Sequence, residues 1–541
     1  MKIESGLTLK EMAQAAQKDF SSEIVAAELD YEVRDLQNDV GDASQVTFIP
    51  LDSQRGWQIY QRSVLFLLFT AVDELYPTAE VVAQFTVDKG LFCEIRHLDH
   101  SLDKTTVARI DARMRGIVAE NRPIQKESLS RERAVQLFKE SKQIEKANLI
   151  AAMEQAVVSI YHCGEFYDYL YGAMLGETGQ LGRFVLDLEL PGILLRTPDV
   201  TTAGAVRKRV PQPKLGNILA ESKRWAAVLH CNYVPDLNRA VRHEHIGDVI
   251  RISEALHEKR ITQIADHIAD DRQELRLILI AGPSSSGKTS FAQRLRVQLR
   301  VNGLEPVSIS LDDYFRLRRE TPRNEKGEYD YECLGALDTD LFNKNMVDLL
   351  AGREIVQPRY NFITGLREWH EVPLAVTKDQ PVIVEGIHGL NEQLSAAVPR
   401  QQKYKIYVSA LTQLNIDGHN RIPTTDARLI RRLVRDYQFR GAHALKTFKQ
   451  WPDVRAGEEK NIFPFQEEAD VMFNSALIYE LGVLKKYAKP LLMSVSPDVP
   501  EHAEAKRLLD ILQYFTDIHD EEQIPNNSLL REFIGKSVFF K

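Results

Sequence analysis

A short glycine-rich segment constrains the fold of this chain of 541 residues more than any other feature. Residues 282–290 read GPSSSGKTS and match the pattern G-x-x-x-x-G-K-[ST]. The apolar run LRLILIA precedes the segment, and a helix-like run, FAQRLRVQLRV, follows it. Because this context directs backbone amides and the positive end of a helix towards an anion, it predicts a phosphate-binding loop. We expect a nucleotide to contact Gly282, Ser284, Ser285, Ser286, Gly287, Lys288, Thr289 and Ser290.

Two side chains of this loop predict the ligands ATP and Mg²⁺. Lys288 is suited to neutralise the β and γ phosphates of a nucleoside triphosphate, and the Thr289 hydroxyl is suited to hold Mg²⁺. The loop by itself does not say which group receives the phosphate.

Carboxylates at the ends of later strand-like runs complete a kinase-like set. SISLDDYF ends a predicted strand with Asp312 and Asp313, which on an extended segment point to opposite sides. One of them is then free to accept a proton from an acceptor hydroxyl, although both could merely cap the following turn. Glu385 ends the run QPVIVE and is suited to bind Mg²⁺, its alternative being a helix-capping role.

Four arginines are spaced along one face of a predicted helix. Arg428, Arg431, Arg432 and Arg435 occur at i, i+3, i+4 and i+7. Guanidinium groups are permanently charged and planar, which suits them to phosphoryl oxygens. The spacing predicts a lid that clamps phosphate, and a salt-bridged surface helix is the alternative.

The motifs of residues 275–490, taken together, resemble the uridine kinase and phosphoribulokinase family of P-loop kinases. The resemblance implies that Asp312 is the catalytic base, that Glu385 binds magnesium and that Lys288 and Arg432 stabilise the transferred phosphoryl group. It implies that SLDDYF carries the catalytic base, that PRYNF(x4)R forms the nucleoside site and that DARLIRRLVRDYQFRG forms the lid. The stretch from Gln357 to His370, with its proline and aromatic residues, is by itself expected to be a loop. The residues expected at the substrate and lid are Tyr314, Tyr360, Arg367, Arg428, Arg431 and Arg435.

The sequence departs from the family pattern around the acceptor. Asn361 stands in place of an aspartate, Gly365 in place of a histidine, and Ala442 in place of an arginine. The transfer machinery is therefore expected to be intact, while the acceptor pocket is expected to be altered.

Residues 1–200 resemble the N-terminal region of threonyl-tRNA synthetases, with a ubiquitin-like TGS domain followed by an editing domain. The editing domain's metal ligands come as H-x-x-x-H and C-x-x-x-H, and these positions align here with Arg62, Phe66, Leu170 and Met174. Zinc binding and aminoacyl-ester editing are therefore not expected.

These patterns predict a multidomain protein of the α/β and α+β classes, whose P-loop domain has a parallel sheet flanked by helices. We expect a TGS-like domain at 1–50, an editing-like domain at 51–200 and a linker with a helical joining segment at 201–270. The kinase-like domain follows at 271–495 and a helical tail at 496–541.

Composition adds mainly exclusions. The net charge of −8 gives no global argument for nucleic-acid or membrane binding. The four cysteines form no C-x-x-C pair, which excludes zinc-ribbon and redox motifs. The longest apolar run, near Val64 to Val72, is shorter than the ~20 residues of a membrane span. We expect a soluble cytoplasmic protein with no membrane partner.

The predicted function is an ATP- and Mg²⁺-dependent phosphotransferase, with a uridine- or cytidine-like nucleoside as the expected acceptor. The alternative is a nucleotide-gated RNA-binding or regulatory ATPase whose synthetase-like half grips RNA or tRNA. A sugar phosphate or another small metabolite as acceptor also stays open, as does homo-oligomer formation.

Overall fold

The computed structural model describes residues 8–41, 43, 45–153, 155–324 and 327–540. Its first unit is a small antiparallel sheet with strand order β2-β1-β3 and one helix beside it. The run LTLKEMAQAA predicts this helix from the sequence, and its first residue, Leu7, lies outside the described residues. The elements are α1 (Leu9–Ala16), β1 (Ile24–Leu29), β2 (Glu32–Arg34) and β3 (Val46–Pro50).

The second unit is built on a long helix, α2, whose apolar residues are buried over most of its length. A four-stranded antiparallel sheet of order β4-β5-β10-β9 and a three-stranded sheet of order β6-β7-β8 belong to this unit. Its elements are α2 (Gln54–Leu75), β4 (Glu80–Val87), β5 (Gly90–Arg96), α3 (Lys104–Glu120), β6 (Gln125–Ser130), α4 (Arg131–Glu140), α5 (Ile144–Ala151), β7 (Val157–Cys163), β8 (Phe166–Asp168), β9 (Val185–Glu189) and β10 (Gly192–Arg196).

Three helices join this unit to the C-terminal part of the chain. The predicted linker has no helix or strand between Arg196 and Pro213, and the proline begins the first joining helix, where its missing N–H costs nothing. The joining helices are α6 (Pro213–Val228), α7 (Val234–Arg242) and α8 (Ile246–Asp270).

The C-terminal part contains the predicted parallel sheet. Its five strands lie in the order β12-β15-β11-β16-β17, and every neighbouring pair is parallel. Its elements are β11 (Leu277–Ala281), α9 (Lys288–Val301), β12 (Val307–Ser310), α10 (Thr339–Leu350), β13 (Pro358–Asn361), β14 (Leu366–Trp369), β15 (Val382–Glu385), β16 (Lys403–Ser409), α11 (Thr424–Arg440), α12 (Ala444–Asn461), β17 (Val471–Asn474), α13 (Glu480–Met493), α14 (His502–Leu512) and α15 (Arg531–Ile534).

This architecture confirms the predicted fold classes, with a parallel sheet in the C-terminal part and separate antiparallel sheets before it. Two local predictions were wrong. The stretch from Gln357 to His370, expected as a loop, forms the β13–β14 hairpin, because its residues pair in register from Pro358 with Trp369 to Asn361 with Leu366. Asp312 and Asp313 lie in a 3-10 turn after Ser310 and not on an extended segment.

Clusters of buried apolar residues extend across the predicted domain boundaries. One cluster joins Phe138 and Ile150 of the second unit to Leu433 of α11, Leu508 of α14 and Phe533 of α15. The described tail therefore packs into the same core as the proposed lid helix. The boundaries at residues 50, 200, 270 and 495 stay predictions.

Candidate active site

The predicted phosphate-binding loop joins β11 to α9 at the carboxyl edge of the parallel sheet. Its chain turns sharply, with φ of +58° at Ser285 and +80° at Gly287. A Cβ at Gly282 would lie 1.9 Å from the Val408 carbonyl oxygen, so only glycine fits there. Local sequence thus determines the curled backbone that anion binding requires.

Polar groups inside the loop are available for an anion. The hydroxyls of Ser285 and Ser286 are buried and have no hydrogen-bond partner among the described residues. Buried polar groups normally have partners, so this pair fits a ligand with acceptor oxygens. A nucleotide phosphate is such a ligand, and the loop is consistent with the ATP site that the sequence predicts.

Lys288 lies back against its own loop. Its Nζ donates to the carbonyl oxygens of Gly282 at 2.9 Å and Pro283 at 3.1 Å. Burial lowers the pKa of Lys288, and the negative charges of Glu385, Glu532 and Asp312 oppose that shift. The ammonium group therefore lies among three carboxylates at the mouth of the loop.

The two predicted strand-end carboxylates come from neighbouring strands. Ser310 at the end of β12 pairs with Glu385 at the end of β15, and Asp312 follows two residues later. Burial raises the pKa of Glu385 to about 7, while Lys288 and a hydrogen bond from Thr289 act in the opposite direction. Glu385 and the Thr289 hydroxyl are hard oxygen donors side by side, as Mg²⁺ requires.

Asp312 and Asp313 face different surroundings. Asp312 is open at the surface but enclosed by protein on its other sides, and this desolvation raises its pKa against the charges of Lys288 and Arg440. The pKa of Asp313 is also raised by burial, but its carboxylate accepts a hydrogen bond from the Tyr360 backbone. Asp312 is thus the aspartate on the side of the phosphate-binding loop.

The arginine stripe of α11 contacts the loop directly. Arg428 is buried, donates to the Ser284 carbonyl oxygen at 3.0 Å and pairs with Glu458. Arg431 is also buried, donates to the Ser475 carbonyl oxygen at 2.8 Å and pairs with Glu480. In this geometry these two guanidinium groups hold the backbone around the loop, and a direct contact with phosphate stays a prediction.

The next two arginines of the stripe are less enclosed. Arg432 donates from Nη1 to the Ser284 hydroxyl at 2.8 Å and lies 3.3 Å from Asp436. Arg435 pairs with the same aspartate at 2.8 Å. Arg440, one turn further on, is 59% exposed. Arg432 and Arg435 of the stripe, together with Arg440 beyond it, are therefore the arginines of α11 most open to a ligand.

The predicted acceptor residues lie around the β13–β14 hairpin. Tyr360 is buried, and Arg367 pairs with Asp338 at 3.0 Å and donates to the Phe315 carbonyl oxygen at 3.2 Å. Tyr314 is fully buried, and its hydroxyl accepts a hydrogen bond from Asn345. Its predicted contact with substrate stays a prediction.

The departures from the family pattern have a structural explanation. Asn361 caps the hairpin turn by accepting from the backbone N–H groups of Ile363 and Thr364. Gly365 has φ of +72°, and a Cβ there would lie 2.7 Å from Nε of Arg318. A histidine could not occupy position 365 without displacing Arg318.

Three carboxylates of the site were missed by sequence reasoning. Glu458 accepts from the Ser284 N–H at 2.9 Å, Glu480 holds Arg431, and Glu532 accepts from the Ser290 hydroxyl at 2.6 Å. All three lie outside any motif. No local pattern marks them, because each reaches the site from a separate helix downstream of the arginine stripe.

The synthetase-like half shows apolar packing at the positions aligned with metal ligands. Phe66, Leu170 and Met174 are buried, and Arg62 donates to the Ala173 carbonyl oxygen at 2.7 Å. Within the described ranges, no group of three or more His, Cys, Asp or Glu residues is arranged to hold a metal ion. Every helix in those ranges is either too short or too polar to cross a bilayer.

Comparison with known proteins finds a family match in the C-terminal part. Residues 277–478 match the phosphoribulokinase / uridine kinase family. This match and the parallel sheet support a P-loop kinase. A solved structure described as that of a possible uridine kinase from Bacillus stearothermophilus is 17% identical with a TM-score of 0.26, covering 37% of this chain and 89% of that one. A TM-score that low does not establish a shared fold.

The N-terminal half matches threonine--tRNA ligases. The chain is 30% identical over 192 residues to the ligase of Bartonella tribocorum, covering 35% of this chain and 29% of the ligase. It is 32% identical over 183 residues to that of Acidithiobacillus ferrooxidans, covering 34% of this chain and 28% of the ligase. The chain thus spans under a third of the length of these two relatives. Both resemblances predicted from the sequence are confirmed over these parts of the chain.

Proposed function

We propose that the protein is an ATP- and Mg²⁺-dependent kinase that phosphorylates a hydroxyl group of a nucleoside. The observation that supports it best is the meeting of Asp312 and Glu385, from neighbouring strand ends, with Lys288 of the phosphate-binding loop. A loop that only binds nucleotide needs no proton acceptor, whereas transfer to a hydroxyl group does.

In the proposed reaction the oxygen of the acceptor hydroxyl bonds to the γ-phosphorus of ATP. Asp312 takes the proton that this hydroxyl loses. The bond from that phosphorus to the bridging oxygen breaks, and ADP leaves. The raised pKa of Asp312 makes it a stronger proton acceptor than an ordinary aspartate. Lys288 and Arg432 stabilise the charge that develops on the phosphoryl oxygens. Thr289 and Glu385 would hold Mg²⁺, which neutralises phosphate charge when bound.

The acceptor pocket supports a nucleoside-like ligand with altered recognition. The aromatic rings of Tyr360, Phe315 and Phe362 contact one another, and Phe362 is exposed enough to stack on a base. Arg318 occupies the space beside Gly365. We expect this guanidinium group to take part in choosing between uridine, cytidine and other acceptors.

The test is phosphorylation of a panel of nucleosides, sugar phosphates and small alcohols by the full chain with Mg·ATP. We expect Lys288→Ala to abolish product formation and Asp312→Asn to lower kcat by roughly 10²- to 10⁴-fold. Asp340→Asn, the same change at an exposed aspartate of α10, is the matched control and should retain turnover. Full turnover by Lys288→Ala would refute the proposal.

A nucleotide-gated regulatory or RNA-binding ATPase is the second candidate, because the two halves meet next to the proposed lid. The Asn415 side chain donates to the Ala83 carbonyl oxygen, and the Ala83 N–H donates to the Gly418 carbonyl oxygen. Asn415 and Gly418 lie in the loop that precedes α11. For this alternative we propose that residues 1–50 form a TGS-like domain, and that residues 51–200 form an editing-like domain without its metal ligands that binds RNA or another partner. ATP hydrolysis that only RNA stimulates, with no product from any small acceptor, would favour it.

A further inference from the structure

The C-terminal segment Asn526–Gly535 packs against the phosphate-binding loop. Leu529, Leu530 and Phe533 are fully buried. Leu529 lies on Gly287, where a Cβ would come within 3.1 Å of its Cδ2 atom, and the Phe533 ring lies 5.0 Å from the Arg431 guanidinium. The segment thus forms one wall of the site, although it is more than 200 residues from the loop in sequence.

Polar contacts fix the register of this segment. The Ser528 hydroxyl donates to Glu254 of α8. Arg531 donates to the carbonyl oxygens of Glu521 at 2.6 Å and Ile524 at 2.8 Å. With Arg531 and Phe533 anchored on either side, the Glu532 side chain extends towards α9.

Glu532 places a carboxylate on the donors of the loop. Its Oε2 accepts from the Ser290 hydroxyl at 2.6 Å and from the Ser290 N–H at 3.3 Å. Ser290 is fully buried in the first turn of α9, where N–H groups have no partner within the helix. These are donors on which the proposed nucleotide would depend.

A carboxylate and a phosphate cannot both use these donors. Each hydrogen is shared poorly between two acceptors, and two anions at contact distance in a partly dry site repel strongly. The charge of Glu532 already acts on Lys288, Glu385 and Arg440, so it lies within the field that a nucleotide would enter. Because the Glu532 side chain is only half-buried, it can rotate away while the segment stays docked.

We propose that Glu532 is an internal anion of the nucleotide site that competes with the nucleotide phosphates for Ser290 and thereby sets nucleotide affinity. The C-terminal segment is then part of the site, and it keeps the phosphate-binding loop ordered when no nucleotide is bound. The inference rests on the proposed nucleotide binding but not on the identity of the acceptor.

The test is the Kd of the full chain for Mg·ATP and Mg·ADP, measured by calorimetry without an acceptor. Glu532→Gln removes the charge at constant shape, and we expect it to lower both Kd values by about tenfold. Glu532→Asp keeps the charge but shortens the reach to Ser290. Its affinity for nucleotide should therefore lie between those of the wild type and Glu532→Gln. Glu522→Gln is the matched control, since it makes the same change at an exposed position of the tail, and it should bind like the wild type.

The outcomes separate the two proposals. Tighter binding by Glu532→Gln and Glu532→Asp, with Glu522→Gln unchanged, supports competition. Unchanged or weaker binding by both Glu532 variants, in a protein that binds nucleotide, overturns the inference and leaves the proposed function standing. Absence of nucleotide binding in every variant and in the wild type contradicts both. Thermal unfolding of each variant checks that it is folded. If Glu532→Gln does not fold, the comparison of Glu532→Asp with the wild type tests the inference.

Discussion

At the scale of single residues, ionisable groups around the site are held in unusual states by burial. His257 of α8 is almost fully buried between the rings of Trp225 and Phe473, and its Nε2–H donates to the Ala476 carbonyl oxygen. Burial and, to a smaller extent, the positive charges of Arg294 and Arg431 lower the pKa of His257 to about 3. The imidazole is therefore neutral throughout the physiological range.

A neutral buried histidine makes stability depend on pH. Below the ordinary pKa of 6.5 the unfolded chain binds a proton at His257 that the native protein does not bind, so the free energy of unfolding falls as pH falls. Between pH 7 and pH 5 we expect the wild type to lose about 2 kcal/mol more than His257→Gln. Urea denaturation at both pH values checks this. His267→Gln, at an exposed histidine of the same helix, should follow the wild type.

At the scale of elements, α11 contains two kinds of arginine, although the sequence places all of them on one predicted helix. Arg431 is fully buried against Glu480, whereas Arg440 is 59% exposed and lies 3.7 Å from Asp436. Breaking a buried pair leaves a charge without a partner or water, while an exposed pair contributes little. The helix therefore serves both as a structural support for the loop and as a candidate lid.

We expect Arg431→Met to lower the free energy of unfolding by about 3–5 kcal/mol, because it leaves Glu480 buried and unpaired. Arg440→Met is the matched variant and should cost about 1 kcal/mol or less. Chemical denaturation of the full chain measures both. Equal costs would mean that the two arginines are equally solvated, contrary to the structure.

At the scale of the whole molecule, a buried charge cluster joins the two halves. Asp168 of β8 pairs with Lys146 of α5 and lies 2.7 Å from Nδ1 of His419, in the loop before α11. The His419 ring stacks on Phe69 of α2 at 3.8 Å. The side chains of Lys146 and Asp168 are 4% and 0% exposed, so little water reaches this contact. Burial accordingly lowers the pKa of Lys146 to about 8 and that of His419 to about 3.

We expect Asp168→Asn to destabilise the protein by about 3–5 kcal/mol, since Lys146 would keep its burial and lose its counter-ion. Asp248→Asn, which breaks an exposed pair with Arg251, should cost about 1 kcal/mol or less. Calorimetry of the full chain measures both changes. If Asp168→Asn matches its control, the cluster does not hold the halves together.

Some parts of the site could be predicted from the sequence because their signals are local. The loop from Gly282 to Ser290 follows from glycines and from the strand and helix beside it, and the strands ending at Ser310 and Glu385 follow from apolar runs. The hairpin at Pro358–Trp369 was missed, because proline and exposed aromatics in a short segment give no clear period. Tyr314 matches a family motif, yet its ring lies in the core.

The sequence by itself determined the phosphate-binding loop, the parallel sheet around it and the two resemblances, since each depends on neighbouring residues or on motifs of a few residues. Only the tertiary structure decided which distant carboxylates join Asp312 and Glu385 beside the loop. Glu458 reaches Ser284 and Glu532 reaches Ser290 across 174 and 242 residues of sequence. Such pairings depend on how helices pack after the chain has folded, and no local spacing encodes them.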